Sequence, residues 1–122
     1  MSLMWIRLEL ARTAEFPGGS PDHGYEFLAP ITADGHIDTA AWKAVKEKCV
    51  VTRFWGGEQK AGKLRHAGSG WRFDYDPSDD TDDEPFFKLD KHALAPGAYV
   101  TITEADGQQL PFRVAEVTPA AT

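Results

Sequence analysis

The fold is encoded most clearly in residues 95–114, whose sequence is APGAYVTITEADGQQLPFRV. Residues Ala95–Ala98 predict a type II turn, because proline presets φ at its second position and glycine accommodates the positive φ of its third. Residues 105–107, Ala-Asp-Gly, suit a three-residue hairpin loop with glycine in the left-handed position. This loop predicts two apolar cross-strand pairs on one face, Val100 with Phe112 and Ile102 with Leu110.

Strand patterns recur in the rest of the chain. Residues 4–10 alternate apolar and polar side chains, and residues 25–31 and 50–55 are short apolar stretches. Pro30 indicates a sheet edge or a strand end, because proline cannot donate to a strand ladder. Residues 16–22 contain two prolines and two glycines, so they are predicted to form a loop.

A second hairpin is predicted between residues 63–66 and 71–75, connected by Ala67–Gly70. Trp71 lies on the same face as the other aromatic residues of the second strand, because side chains alternate along a strand. With an even number of residues in the connection, His66 joins that face. The sequence therefore predicts a histidine beside an aromatic cluster.

A helical pattern is clearest over residues 39–48. Ala41, Trp42 and Val45 recur at helical spacing, and Asp38 or Thr39 is a suitable N-cap. About six short strands and this helix predict a single α+β domain over residues 1–122. We expect a mostly antiparallel sheet that curls into a small or partly open β-barrel, with the helix at one end or over one face.

The composition restricts the classes of partner. Hydrophobic residues make up 42% of the chain, as in globular proteins, and the formal net charge is −6. A negative chain lacks the cationic field on which generic binding to nucleic acids or anionic membranes depends. We therefore expect a protein or small-molecule partner, no membrane and no cofactor, and a homo-oligomer stays open.

The expected compartment is the cytoplasm. No apolar stretch approaches the length of a membrane span, and the first residues lack the pattern of a secretion signal. Cys49 is the single cysteine, which excludes an intramolecular disulfide and suits a reducing environment. Its position between the helix and an apolar strand predicts a buried thiol that packs as a small hydrophobe.

Seven of the eleven residues from 74 to 84 are acidic. Oxygen-bearing side chains alternate there, as hard divalent cations prefer. Counted from Asp74, however, the calcium-loop positions for glycine and glutamate hold Asp79 and Pro85. A solvated acidic loop is the favoured interpretation and no metal site is expected. The candidate ligands of the cation-binding alternative are Asp76, Asp80, Asp82 and Glu84.

A basic segment precedes this acidic run. Residues 53–72 contain five lysines and arginines against the single carboxylate of Glu58. The two segments either neutralise each other within the fold or form a bipolar surface for a charged partner or for self-association. An exposed aromatic side chain near these cations would also stack on a flat ligand. The residues predicted for this partner surface are Arg53, Trp55, Arg65, Trp71 and Arg72.

Readable catalytic motifs are missing from the sequence. There is no serine nucleophile elbow, no phosphate-binding glycine loop and no histidine spacing of a zinc site. The candidate acid–base residues are His23 with Glu26, and His66 with Asp74, which would have to converge in one cleft. Whether the protein is an enzyme stays open.

The sequence thus favours a non-catalytic binding or accessory module. Its ligand would meet the bipolar surface or a pocket between the barrel and the helix. The alternatives are a small enzyme that uses the four acid–base candidates and a domain that binds a divalent cation at residues 74–84.

Overall fold

The computed structural model describes residues 2–67, 70–75, 84–86, 93–103 and 108–120. One α-helix, α1 (Thr39–Val45), occurs in this part and continues as a 3-10 turn at Lys46–Lys48. The strands in this part are β1 (Ser2–Leu10), β2 (Ser20–Ile31), β3 (Val50–Trp55), β4 (Glu58–Ala67), β5 (Gly70–Asp74), β6 (Glu84–Phe86), β7 (Tyr99–Thr103) and β8 (Gln109–Pro119).

The strands form an up-and-down antiparallel barrel. Each strand pairs with the next one in sequence, and β1 also pairs with β8, which closes the ring. Among the described residues, strand pairing is shortest at β6, which has three register pairs with β5 and one with β7. The small antiparallel α+β barrel predicted from the sequence is confirmed. The described part has eight strands rather than about six, because three residues of β6 are too few to show an alternating pattern.

The interior of the barrel is packed with inward-facing side chains. The ring of Tyr25 lies 4.9 Å from that of Phe73 and 5.2 Å from that of Phe112, between ring centroids. An eight-stranded barrel is just wide enough for side chains to fill. Other fully buried side chains of this core are Ile6, Leu8, Phe27, Leu64, Ile102 and Val114.

Helix α1 covers one end of the barrel, as predicted. Asp38 is its N-cap, and the carboxylate oxygen Oδ1 accepts a hydrogen bond of 3.0 Å from the backbone N–H of Ala41. The indole of Trp42 points into the barrel and packs edge-on against Trp71, with 5.3 Å between ring centroids. Its Nε1 donates to the backbone oxygen of Leu64 at 3.1 Å. Trp42 thus fills the space between helix and barrel.

Both predicted hairpin registers are confirmed. Val100 pairs with Phe112 and Ile102 with Leu110, although residues 105–107 of the predicted loop lie outside the described residues. In the turn before β7, Gly97 has a φ of 94° and the N–H of Ala98 donates to the oxygen of Ala95 at 3.0 Å. The even register of the second hairpin is also present, and it pairs His66 with Trp71.

Several strands are longer than predicted, and two of them begin well before their predicted first residue. Strand β2 begins at Ser20, inside the stretch predicted to be a loop, and β4 begins at Glu58. Gly56 and Gly57 both have positive φ, 59° and 97°, and form a two-residue turn that pairs Trp55 with Glu58. This turn connects β3 directly to β4. Within the described residues, no helix is both long enough and apolar enough to cross a membrane.

Candidate functional site

An open cleft of about 760 Å³ lies on the outer surface of the barrel, across β1, β2, β3 and the β3–β4 turn. Its walls include Arg7, His23, Glu26 and Phe54, and we call it the outer cleft. Arg7 pairs with Glu26 in register, while Ile6 beside it in sequence is buried in the core. Because side chains alternate along a strand, Arg7 and Glu26 face outward.

Gly24 lies in sequence between His23 and Glu26, two residues that line the outer cleft. It lies in β2 between Glu9 of β1 and Phe54 of β3. A Cβ atom at this position would overlap the carbonyl oxygen of Leu8 and would lie 3.0 Å from the ring of Phe54. Only glycine therefore lets β1 and the Phe54 ring approach β2 this closely.

The side chain of Arg7 is held from several sides. The guanidinium carbon lies 4.3 Å from the centroid of the Phe54 ring, which is a cation–π distance. Nε donates to Glu9 Oε2 at 2.8 Å, and Nη2 donates to the backbone oxygen of Pro21 at 3.0 Å. Nη1 lies 3.6 Å from Glu26 Oε2. The cleft wall is therefore formed before any ligand arrives.

His23 stands at the edge of the cleft. Its ring packs between Phe16 and Trp55, with centroid distances of 4.7 and 4.6 Å. Its Nδ1 is 2.7 Å from the hydroxyl oxygen of Ser20. A neutral imidazole that accepts this bond carries its proton on Nε2. Nε2 faces the β3–β4 turn, since a Cβ on Gly56 would lie 3.6 Å from it.

Carboxylates exceed cations in the outer cleft. Arg7 is opposed by Asp22 and Glu26, so the lining carries one net negative charge. The side chain of Glu26 is 44% exposed, and one of its oxygens interacts with Arg7 only at the longer distance of 3.6 Å. The cleft therefore suits a cationic group that can donate hydrogen bonds to the carboxylates of Glu26 and Asp22.

Of the four acid–base candidates, the structure brings together only His23 and Glu26. They line the outer cleft together. His23 pairs with Trp55, and Trp55 pairs with Glu58 at the start of β4. His66 lies eight residues further along β4, which is about 26 Å from Glu58. His66 packs against Trp71 with ring centroids 4.5 Å apart, at the end covered by the helix. The structure does not bring the four together.

Asp74 is separate from His66 as well. Phe73 points into the barrel, so Asp74 faces outward on β5, where Oδ2 lies 3.8 Å from Arg65 Nε. Arg65 also reaches Glu47 at 3.9 Å, and Lys63 forms an ion pair with the same carboxylate. The hydrogen bond from Lys63 holds the pKa of Glu47 below its usual value. Glu47, in the 3-10 turn that follows α1, thus neutralises part of the charge of the basic segment.

The predicted partner surface is divided among three places. Arg53 stacks over the Trp55 ring, with its guanidinium carbon 4.1 Å from a ring centroid. Arg65 and Arg72 are paired across β4 and β5 elsewhere on the barrel. Trp71 is only 1% exposed and belongs to the core, so it is not part of a surface. These five residues do not form one contiguous patch.

Three of the candidate metal ligands, Asp76, Asp80 and Asp82, lie outside the described residues. Glu84 begins β6. Within the ranges that the structure covers, no three His, Cys, Asp or Glu residues are grouped as metal ligands. Cys49 is fully buried, as predicted, and burial raises the pKa of its thiol to about 11.

The sequence reasoning missed Arg7, Gly24 and Phe54. Arg7 is one of the polar residues in an alternating strand, which by itself indicates only the outer face. Gly24 carried the usable signal, because an isolated glycine in a strand indicates a close backbone approach. Comparisons with known proteins do not assign the cleft: the chain matches no family model, no curated protein and no solved structure.

Proposed function

We propose that the protein is a non-catalytic binding module whose outer cleft receives a cationic group, such as a lysine or arginine side chain of a partner protein. The observation that carries this proposal is the preformed wall of Arg7 over Phe54, beside the half-exposed carboxylate of Glu26. A fixed wall loses little side-chain entropy when a ligand binds.

The charge of the cleft supports a cationic rather than an anionic guest. Arg7 already interacts with Glu9 and Glu26, so an incoming anion would compete with two carboxylates for one guanidinium. A cation would instead meet Asp22 and Glu26. The net charge of −6 would also attract positively charged partners over longer distances.

The chemistry of the chain also favours a class of partner and a cellular compartment. A protein partner is favoured over nucleic acid, because phosphates would be repelled by an acidic chain. A reducing cytoplasm is the proposed compartment, since Cys49 is a buried thiol with no second cysteine to pair with. Self-association remains compatible with the proposal, because a lysine or arginine on a second copy is also a cationic side chain.

NMR titration of the isotope-labelled full chain tests the proposal. The probes are the blocked amino acids N-acetyl-lysine amide and N-acetyl-glutamate amide. We expect the lysine probe to bind with a Kd of about 1 mM and the glutamate probe not to bind at that concentration. Glu26→Gln should weaken the lysine probe several-fold. Glu47→Gln, a charge removal on the helix, is the matched control and should leave its Kd unchanged. Equal binding of both probes would refute the proposal.

A hydrolytic reaction at the same place is the second candidate, because Ser20 Oγ and His23 Nδ1 are 2.7 Å apart. In such a reaction the serine oxygen would attack an ester carbonyl carbon while His23 accepts the hydroxyl proton. The ester C–O bond would break, the alcohol would leave with that proton, and water would then hydrolyse the acyl-serine. Release of nitrophenol from p-nitrophenyl acetate, compared between the native chain and Ser20→Ala, decides this. A rate that depends on Ser20 would favour the enzyme. Equal rates would exclude this reaction and favour the non-catalytic binding module.

A further inference from the structure

A second concave surface adjoins the outer cleft. This second cleft has a volume of about 370 Å³ and is lined by Arg12, Tyr99 and Arg113, together with Glu9. Pro21 lines both clefts, so they meet at this residue. Arg113 pairs with Tyr99 on β7 and with Glu9 on β1, which places these side chains in one row on the outside of the barrel. The two clefts are therefore neighbours on the outside of the barrel that share Pro21 as a common wall, and we call them together the groove.

The two clefts have opposite charge. In the second cleft, Arg12 and Arg113 face the single carboxylate of Glu9. Glu9 already accepts a hydrogen bond from Arg7 at 2.8 Å and lies 4.0 Å from the Arg113 guanidinium. The side chain of Arg113 is 47% exposed. Arg113 is thus able to bind a carboxylate from outside, just as Glu26 is able to bind a cation.

The spacing of these charges fits an extended polypeptide. Glu26 is level with Arg7 of β1, and Arg113 is level with Glu9, so the two residues are two strand spacings apart across the sheet and two residues apart along it, or about 12 Å in all. An extended chain covers about 13 Å in four residues, and side chains four residues apart point to the same face. Tyr99 lies one strand beyond Arg113 and is 63% exposed, so its ring offers an apolar contact at the end of the groove.

We infer that the groove binds an extended segment of a partner protein that carries a lysine or arginine and, four residues away, an aspartate or glutamate. The cation enters the outer cleft at Glu26, and the carboxylate pairs with Arg113 in the second cleft. The inference rests on the proposed function of the outer cleft and adds the requirement for the second charge. Complementary charges at a fixed separation would set both the register and the identity of the partner.

The test uses three peptides against the isotope-labelled full chain at low ionic strength, where exposed ion pairs are least screened. The first is acetyl-Lys-Ala-Ala-Ala-Glu-amide, and in each of the others Gln replaces one charged residue. We expect the doubly charged peptide to have a Kd about threefold lower than that of either control. Arg113→Gln should remove the benefit of the peptide glutamate, and Glu26→Gln should remove the benefit of the peptide lysine. Unchanged amide spectra away from each substitution confirm that both variants fold.

The outcomes separate the two proposals. If the lysine matters and the glutamate does not, this inference is wrong while the proposed function stands. If neither charge affects the Kd, both are wrong. A glutamate effect that survives Arg113→Gln also overturns the inference, because the carboxylate would then bind elsewhere.

Discussion

The guanidinium of Arg7 lies 4.3 Å above the ring of Phe54, although β2 separates their strands. Gly24 is the residue of β2 that pairs with Phe54. A side chain there would overlap the backbone of Leu8 and press on the Phe54 ring. The wall of the outer cleft therefore depends on a residue without a side chain, and the packing of three strands is coupled to the shape of the proposed binding site.

Gly24→Ala is expected to destabilise the protein by about 2 kcal/mol, because the added methyl group overlaps the Leu8 backbone and presses on Phe54. The free energy of unfolding, measured by chemical denaturation, checks this. Gly18→Ala is the matched control: its Cβ would have no heavy atom within 4 Å, and we expect a change below about 0.5 kcal/mol. Equal effects of the two substitutions would contradict the close approach at Gly24.

Trp42→Ala should cost about 3–5 kcal/mol, since it empties the end of the barrel that the helix covers. Trp42→Phe keeps most of the ring but loses the hydrogen bond to Leu64, and should cost less than the alanine substitution. Thermal and urea unfolding measure both. Tyr99→Ala, at a 63% exposed position, is the control and should be close to neutral. A small effect of Trp42→Ala would show that the helix does not depend on this contact.

The thiol of Cys49 should react slowly with Ellman's reagent at pH 7, because burial raises its pKa to about 11 and keeps it protonated. In the unfolded chain the thiol ionises near its ordinary value of 9.0. The unfolded state thus releases this proton first as pH rises, so the stability associated with Cys49 is present below pH 9 and is lost towards pH 11. Cys49→Ala should lose that part of the pH dependence. Labelling at the rate of a free thiol would contradict the buried position.

Lys63→Met should raise the pKa of the Glu47 carboxyl towards its ordinary value of 4.5, because the hydrogen bond from Lys63 is the main cause of its lowering. A lowered carboxyl pKa stabilises the fold above the unfolded-state value and loses that effect as pH falls through the folded-state value. The stability difference between native chain and variant should therefore be present at neutral pH and vanish in acid. Carbon-detected NMR titration of Glu47 measures the pKa, and an unchanged value in the variant would exclude the ion pair.

Local chemistry was sufficient to predict the hairpins. The Ala95–Ala98 turn and the glycine of the next loop fixed the pairing of Val100 with Phe112, because turn geometry and side-chain alternation agree there. The same agreement placed His66 beside Trp71. The helix followed from its N-cap and its apolar spacing. These features depend on residues that are close in sequence.

The candidate site depends on residues that are distant in sequence. Arg7 and Phe54 meet only because β1 and β3 are both neighbours of β2, which a strand pattern alone does not specify. The separation of His23 from His66 likewise follows from the length of β4. The first half of this strand was not predicted, because its charged and small residues show no alternating apolar pattern. Charge counting grouped Arg53 with Arg65 and Arg72, but counting along the chain does not show which face of the barrel each residue occupies.

The central claim, that the outer cleft binds a cationic group, is tested most directly by mapping the amide chemical shifts of the full chain on addition of N-acetyl-lysine amide. We expect the largest shifts at the amides of His23, Gly24, Gly56 and Gly57 around the cleft, and no shift at the amides of Leu94 and Gly97 elsewhere on the barrel. Shifts concentrated outside the cleft, or no shifts at saturating probe, would contradict it.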